Sequence, residues 1–78
     1  MIKTYRKVAT IQAEQFDGST EMINRYSIYV DDYGNCAIPT LEGMMELEHG
    51  YWIATGADGE HWAIKDDIFK KTYAEANL

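Results

Sequence analysis

The chain has 78 residues, 46% of them apolar, and sets 7 Lys and Arg against 13 Asp and Glu, for a formal charge of −6. That length admits one domain with a small core, which hides only roughly 60% of the unfolded surface. The two Trp, six Tyr and two Phe argue against disorder, and the single Cys36 excludes an intrachain disulfide framework.

A lone thiol fits a reducing compartment. Cys36 reads as a small core or strand residue, because Asn35 and Ala37 do not supply the basic setting a nucleophile needs. No stretch approaches the roughly 18 apolar residues of a membrane span. The opening Met1–Lys7 is basic but carries no apolar run after it, so no signal peptide is expected. A soluble cytoplasmic protein is the expectation. Charge is uneven: Lys3, Arg6 and Lys7 precede every acid, whereas from Glu42 to Asp67 seven acids accompany one base, Lys65. Phosphate backbones are repelled overall, which disfavours double-stranded nucleic acid. A small anionic ligand is admitted if the basic groups converge, and an acidic face suits a basic partner protein.

In chain order, residues 4–16 carry β-branched and aromatic residues, and Ile11 and Ala13 alternate with Gln12 and Glu14. This predicts a strand with one buried face. Asp17-Gly18-Ser19 signals a turn. Ser19 or Thr20 suits a helix cap, Glu21 suits a first turn, and Met22, Ile23 and Tyr26 share a helical face. A short helix over 20–26 follows, too short to persist unless docked on a sheet. Ile28–Val30 reads as a strand, Asp32–Asn35 as a turn, and Cys36–Ile38 as the returning strand, with Pro39 at its end or an edge. Residues 41–48 alternate, with Leu41, Gly43, Met45 and Leu47 on one side and Glu42, Met44, Glu46 and Glu48 on the other. This predicts a half-buried antiparallel strand.

His49-Gly50 turns the chain. Residues 51–57 and 60–65 then form a hairpin about Asp58-Gly59, a dipeptide suited to a two-residue turn. In that register Ile53 faces Ile64, Thr55 faces Trp62, and Trp52 faces Lys65. Trp62 is expected in the core. Asp66–Phe69 reads as a capped helical turn that drops Ile68 and Phe69 onto the sheet. Lys70–Tyr73 reads as a terminal edge strand, with Lys70 and Lys71 discouraging edge-to-edge pairing. Residues 74–78 read as a frayed tail.

Catalytic patterns are missing. His49 and His61 lack metal-ligand spacing, Gly56–Gly59 lacks the Lys-Ser/Thr of a phosphate loop, and Ser19 and Ser27 have no base nearby in sequence. No enzymatic activity, cofactor or metal is expected. What remains is aromatic residues beside basic ones: Tyr5 with Arg6, Trp52 opposite Lys65, and Tyr73 after Lys70-Lys71. Aromatic faces stack on bases, and Lys or Arg pairs with phosphates.

Several blocks resemble a widespread family of small tailed-phage and prophage proteins. Ile11-Gln12-Ala13-Glu14-Gln15-Phe16 is similar to the family's Ile-Glu-Ala-x-Gln-Trp opening, and Thr40-Leu41-Glu42-Gly43-Met44 to its middle. Gly50–Gly56, Gly59-Glu60-His61-Trp62, Lys65–Phe69 and Thr72-Tyr73 resemble its Gly-Asp-Trp-Ile, Gly-Glu-x-Tyr, Lys-Pro-Asp-Ile-Phe and Thr-Tyr-Glu blocks. The chain departs from the pattern at Phe16, Tyr51, Trp62 and Asp66. The resemblance implies a phage accessory protein expressed inside a bacterium, and by analogy one that counters host defence.

Together these features predict an α+β domain: one twisted, mostly antiparallel sheet of about five or six strands, one short helix, and a homo-oligomer. The expected function is sequestration of a small anionic ligand such as a cyclic dinucleotide. Tyr5, Trp52 and Tyr73 would stack on bases, Arg6 and Lys65 take phosphates, and Gln15 and Thr72 bond polar edges. The alternative is an acidic inhibitor whose Glu42, Glu46 and Glu48 cover a basic groove on a host nuclease or defence complex.

Overall fold

A computed structural model describes residues 1–6 and 9–75. The chain forms β1 (Gln12–Gln15), α1 (Thr20–Arg25), β2 (Tyr29–Val30), β3 (Cys36–Thr40), β4 (Gly43–Leu47), β5 (Trp52–Thr55), β6 (His61–Ile64) and α2 (Asp66–Thr72). The architecture is a small α+β domain. The expected single sheet is replaced by two antiparallel three-stranded sheets, ordered β1-β5-β6 and β2-β3-β4. The break falls after Leu47, where Gly50 takes a positive φ of 92° and sends β5 to pair with β1 instead of β4. The sheets meet through β6, which packs on β3 and β4.

The expected strand over 4–16 contracts to β1. Its partner β5 ends at Thr55, opposite Gln12, so earlier residues have no strand to pair with. Residues 4–6 and 9–11 belong to no element, and Lys7 and Val8 lie outside the described residues. One further rung follows β1: the Phe16 amide donates to the Tyr51 carbonyl at 2.8 Å, and the Gly50 amide donates to the Phe16 carbonyl at 2.9 Å. The turn that leads to α1 is built by Asp17, whose carboxylate accepts from the Ser19 amide at 2.8 Å. Gly18 sits there at φ 78°, so close to the ring of His49 that a Cβ would meet Nε2 at 2.3 Å. Ser19 caps α1 as expected, its hydroxyl accepting from the Met22 amide at 3.2 Å.

The β3–β4 hairpin is tighter than its alternating pattern suggests. Thr40 pairs with Gly43, and Leu41-Glu42 forms the turn instead of extending the strand. The Thr40 hydroxyl donates to the Gly43 carbonyl at 2.7 Å and accepts from the Glu42 amide at 3.2 Å. Leu41 is therefore 83% exposed, and the buried face of β4 is confined to Leu47, with Met45 at 38%. Pro39 lies within β3 but beyond the reach of β2, which pairs only with Cys36 and Ala37, so no ladder bond to β2 is lost there.

The β5–β6 register differs by one residue from the expected one. Gly56 donates to the Glu60 carbonyl at 2.9 Å, and Gly59 donates to the Gly56 carbonyl at 3.1 Å, leaving Ala57-Asp58-Gly59 as a three-residue loop. Gly59 has φ 79°, whereas Asp58 does not take the positive φ that a two-residue turn would need. Trp52 thus faces Ile64, Ile53 faces Ala63, Ala54 faces Trp62, and Thr55 faces His61. A one-residue slip exchanges faces, so Trp62 lies with Trp52 and not with Ile53, and it is half-buried.

Two helices replace the expected one. Asp66–Thr72 is a continuous helix, not a turn followed by an edge strand. Asp66 and Asp67 occupy its first turn and Lys70 and Lys71 its last, the distribution that the helix dipole favours. Ile68 does not drop onto the sheet but stays 49% exposed. The expected tail at 74–78 falls partly outside the described residues; Ala74 and Glu75 are exposed and in no element.

Phe16, Met22, Ile28, Ile38, Leu47 and Ile53 form the core between α1 and the inner faces of both sheets, with Ile23, Tyr26, Cys36, Tyr51 and Ala63 packed around it. Phe16 is 1% exposed and bridges β1 to this cluster. Phe16→Ala is expected to cost about 3–5 kcal/mol, which rivals the whole stability of so small a domain. A collapse of the urea midpoint checks this.

Candidate functional site

The two faces of the first sheet have different fates. Glu14, Ile53, Ala63, Thr55 and His61 share the face turned to α1, while Ala13, Gln15, Trp52, Ala54, Trp62 and Ile64 share the other. On the α1 side, Arg25 pairs with both Glu14 and Glu21, and the Tyr26 hydroxyl donates to Glu14. The Tyr26 bond, then Arg25, holds the Glu14 carboxyl below its ordinary value. His61 meets the Tyr26 ring edge-on at 5.0 Å, and its Nδ1 lies 2.9 Å from the Thr55 hydroxyl. Glu14, Arg25, Tyr26, Thr55 and His61 are thus engaged with one another, and the network ties α1 to β1.

The opposite face holds the candidate site. The Trp52 indole stacks on Phe69 with centroids 4.1 Å apart and planes within 10°, and Phe69 stacks in turn on Tyr73 at 5.3 Å and 25°. Phe69 on α2 and Tyr73, its C-cap, stand four residues apart, so both rings fall on one side. Along this stack runs a cleft of about 680 Å³, walled by Ala9–Ala13 on one side and by Trp52, Phe69, Thr72 and Tyr73 on the other. Its size falls within the range of small-molecule sites.

Asp66 anchors the arrangement. Its Oδ1 accepts from the Trp52 indole N–H at 2.8 Å and from the Gln15 amide at 3.4 Å, and its Oδ2 pairs with Lys70 at 3.0 Å. Gln15 also donates to the Gly50 carbonyl at 2.9 Å. The indole bond first, then Lys70, lowers the Asp66 carboxyl below its ordinary value of 3.8.

Of the residues singled out in the sequence, the fold brings Trp52, Thr72 and Tyr73 to one cleft and sets Gln15 beside Trp52 through Asp66. Thr72 has its hydroxyl proton committed to the Ile68 carbonyl at 2.8 Å and can only accept from a ligand. Lys65 is not opposite Trp52. It is the exposed N-cap of α2 and does not line the cleft. Tyr5, 85% exposed, and Arg6, also exposed, are not among the lining residues either. Among the described residues, the charged group in the lining is Glu75. Sequence reasoning missed Phe69 and Asp66 as site residues. The acidic-then-basic order of Asp66–Lys71 and the four-residue spacing of Phe69 and Tyr73 were the available signals of a helical face.

The acidic strand lies elsewhere. Glu42 is in the β3–β4 turn, and Glu46 is exposed on β4. Glu48 accepts from the Tyr51 hydroxyl at 2.8 Å, which pushes that phenol up to about 12. Among the described residues no group of three or more His, Cys, Asp or Glu could hold a metal ion, and no helix is long and apolar enough to cross a membrane.

Because the Asp66 pKa is lowered by folding, its contribution is complete above about 3.8 and is lost as pH falls through the folded value. In a Trp62→Phe background, Trp52 fluorescence should therefore titrate with a midpoint below 3.8. Asp66→Ala should abolish that transition. Comparison of the chain with protein-family models, curated proteins and solved structures finds no match.

Proposed function

We propose that this chain is a non-enzymatic binding protein whose cleft between β1 and α2 takes the ring of a small anionic nucleotide, such as a cyclic dinucleotide. The observation that carries this reading is the Trp52–Phe69–Tyr73 stack along an open cleft of about 680 Å³. A nucleobase extends such a stack, and base–aromatic stacking contributes about 1–3 kcal/mol per base. Among the described residues the lining holds no cation, which favours the base in the cleft and the phosphates at its mouth. Lys65, at the start of α2, and Lys70 and Lys71, in its last turn, are exposed cations of that segment, Lys70 being paired with Asp66. In the setting implied by the resemblance to phage proteins, the protein would act in the cytoplasm of an infected bacterium and withdraw a signal from host defence.

A second reading is favoured by charge. The net charge is −6, and Glu42 and Glu46 project from an exposed hairpin, an arrangement suited to a basic groove on a host protein.

Native mass spectrometry against a panel of mononucleotides and cyclic dinucleotides separates the two. A retained nucleotide is expected, with Tyr73→Ala weakening it about 10-fold, the equivalent of ~1.4 kcal/mol of stacking. Tyr73→Ala is chosen because Trp52 and Phe69 can remain stacked without it. Binding to no member of the panel overturns the nucleotide reading and leaves the acidic one, which a salt-sensitive pull-down with a basic host protein then tests.

A further inference from the structure

The segment Met1–Arg6 is exposed at every residue, with Met1 at 111%, Ile2 at 99% and Tyr5 at 85%. The chain's radius of gyration is 14.1 Å, against about 11.5 Å for a compact domain of this length. Its charged side chains are Lys3 and Arg6, so all of the chain's acids lie outside it.

The outer face of the second sheet has the opposite character. Strand alternation turns Cys36, Ile38, Met45 and Leu47 towards the core, leaving Tyr29, Ala37 and Glu46 as one outward row and Pro39 and Met44 as the next. Tyr29 is 62% and Met44 58% exposed, with Leu41 at 83% on the hairpin tip. Glu42 and Glu46, both exposed, flank Met44 two residues away on either side. An apolar strip between two carboxylates matches a segment in which Ile2 and Tyr5 are interleaved with Lys3 and Arg6.

We propose that the face formed by Tyr29, Pro39 and Met44 receives residues 1–6 of a second copy of this chain. Ile2 and Tyr5 lie against Met44, Pro39 and Tyr29, and Lys3 and Arg6 meet Glu42 and Glu46. In its own chain the segment leads into the first sheet and is not packed on this face. A reciprocal exchange between two copies satisfies both surfaces with two-fold symmetry. It also adds buried apolar area to a domain whose own core is small. The proposal is independent of the cleft and its ligand.

The test is sedimentation velocity on the full chain across concentration and ionic strength, with far-UV circular dichroism to confirm that each variant is folded. A dimer at low salt that loosens as salt screens the pairs is expected. Met44→Glu, and separately Lys3→Glu with Arg6→Glu, should each weaken it by about 10-fold or more. Combining Lys3→Glu and Arg6→Glu with Glu42→Lys and Glu46→Lys should restore it, which a merely structural effect of the single sets would not do. A monomer throughout overturns the proposal, as does a dimer indifferent to both sets, or a charge exchange that fails to restore association.

Discussion

Gly59 determines which side of the first sheet Trp62 occupies. Its φ of 79° closes Ala57-Asp58-Gly59 into a three-residue loop, and that loop fixes the pairing of β5 with β6. Because side chains alternate along a strand, one residue more or less in the loop would exchange inner and outer faces of β6. The observed register puts Ala63 under the core beside Ile53 and sets Trp62 and Ile64 on the face of Trp52. That face is where α2 docks. The separation of Lys65 from Trp52 and the placement of Trp62 beside it both descend from this one turn.

Both faces of β1 are held by carboxylates whose acidity is increased by folding. Glu14 ties the strand to α1 through Tyr26 and Arg25, and Asp66 ties the Trp52 face to α2 through the indole. The two anchors differ in what they leave free. On the α1 side the partners are paired among themselves and the rings of Tyr26 and His61 close over the sheet. On the α2 side the rings lie parallel, and Trp52 and Tyr73 open onto a cleft. Parallel stacking leaves π-faces for a planar guest, which edge-on packing covers.

The sequence was most legible where one local interaction decides the structure. Ser19 marks the start of α1 because its hydroxyl satisfies a free amide, and that requirement is local. Trp52, Thr72 and Tyr73, singled out by type, line one cleft. The register of β5–β6 was not legible, because Asp58-Gly59 fits a two-residue turn and, with Gly59 alone in the left-handed region, a three-residue one equally well. Lys70–Tyr73 read as a strand because an aromatic after lysines resembles an edge, whereas the stacking of Phe69 and Tyr73 on Trp52 makes the helix the better-packed state. The split into two sheets rests on Gly50, and nothing local in His49-Gly50 says whether β5 returns to β4 or crosses to β1.

The approach of Gly18 to His49 constrains how this sequence can vary. A side chain at position 18 would collide with the imidazole, and swinging the ring aside would uncover Phe16, which His49 meets edge-on at 5.5 Å. Even with the ring gone, the positive φ would cost a bulkier residue about 1–2 kcal/mol. Positions 18 and 49, 31 residues apart, are thus a coupled pair: His49 has freedom to change while Gly18 stays, whereas a side chain at 18 needs both a displaced ring and a left-handed backbone. Among divergent copies of this chain, the glycine should outlast the histidine.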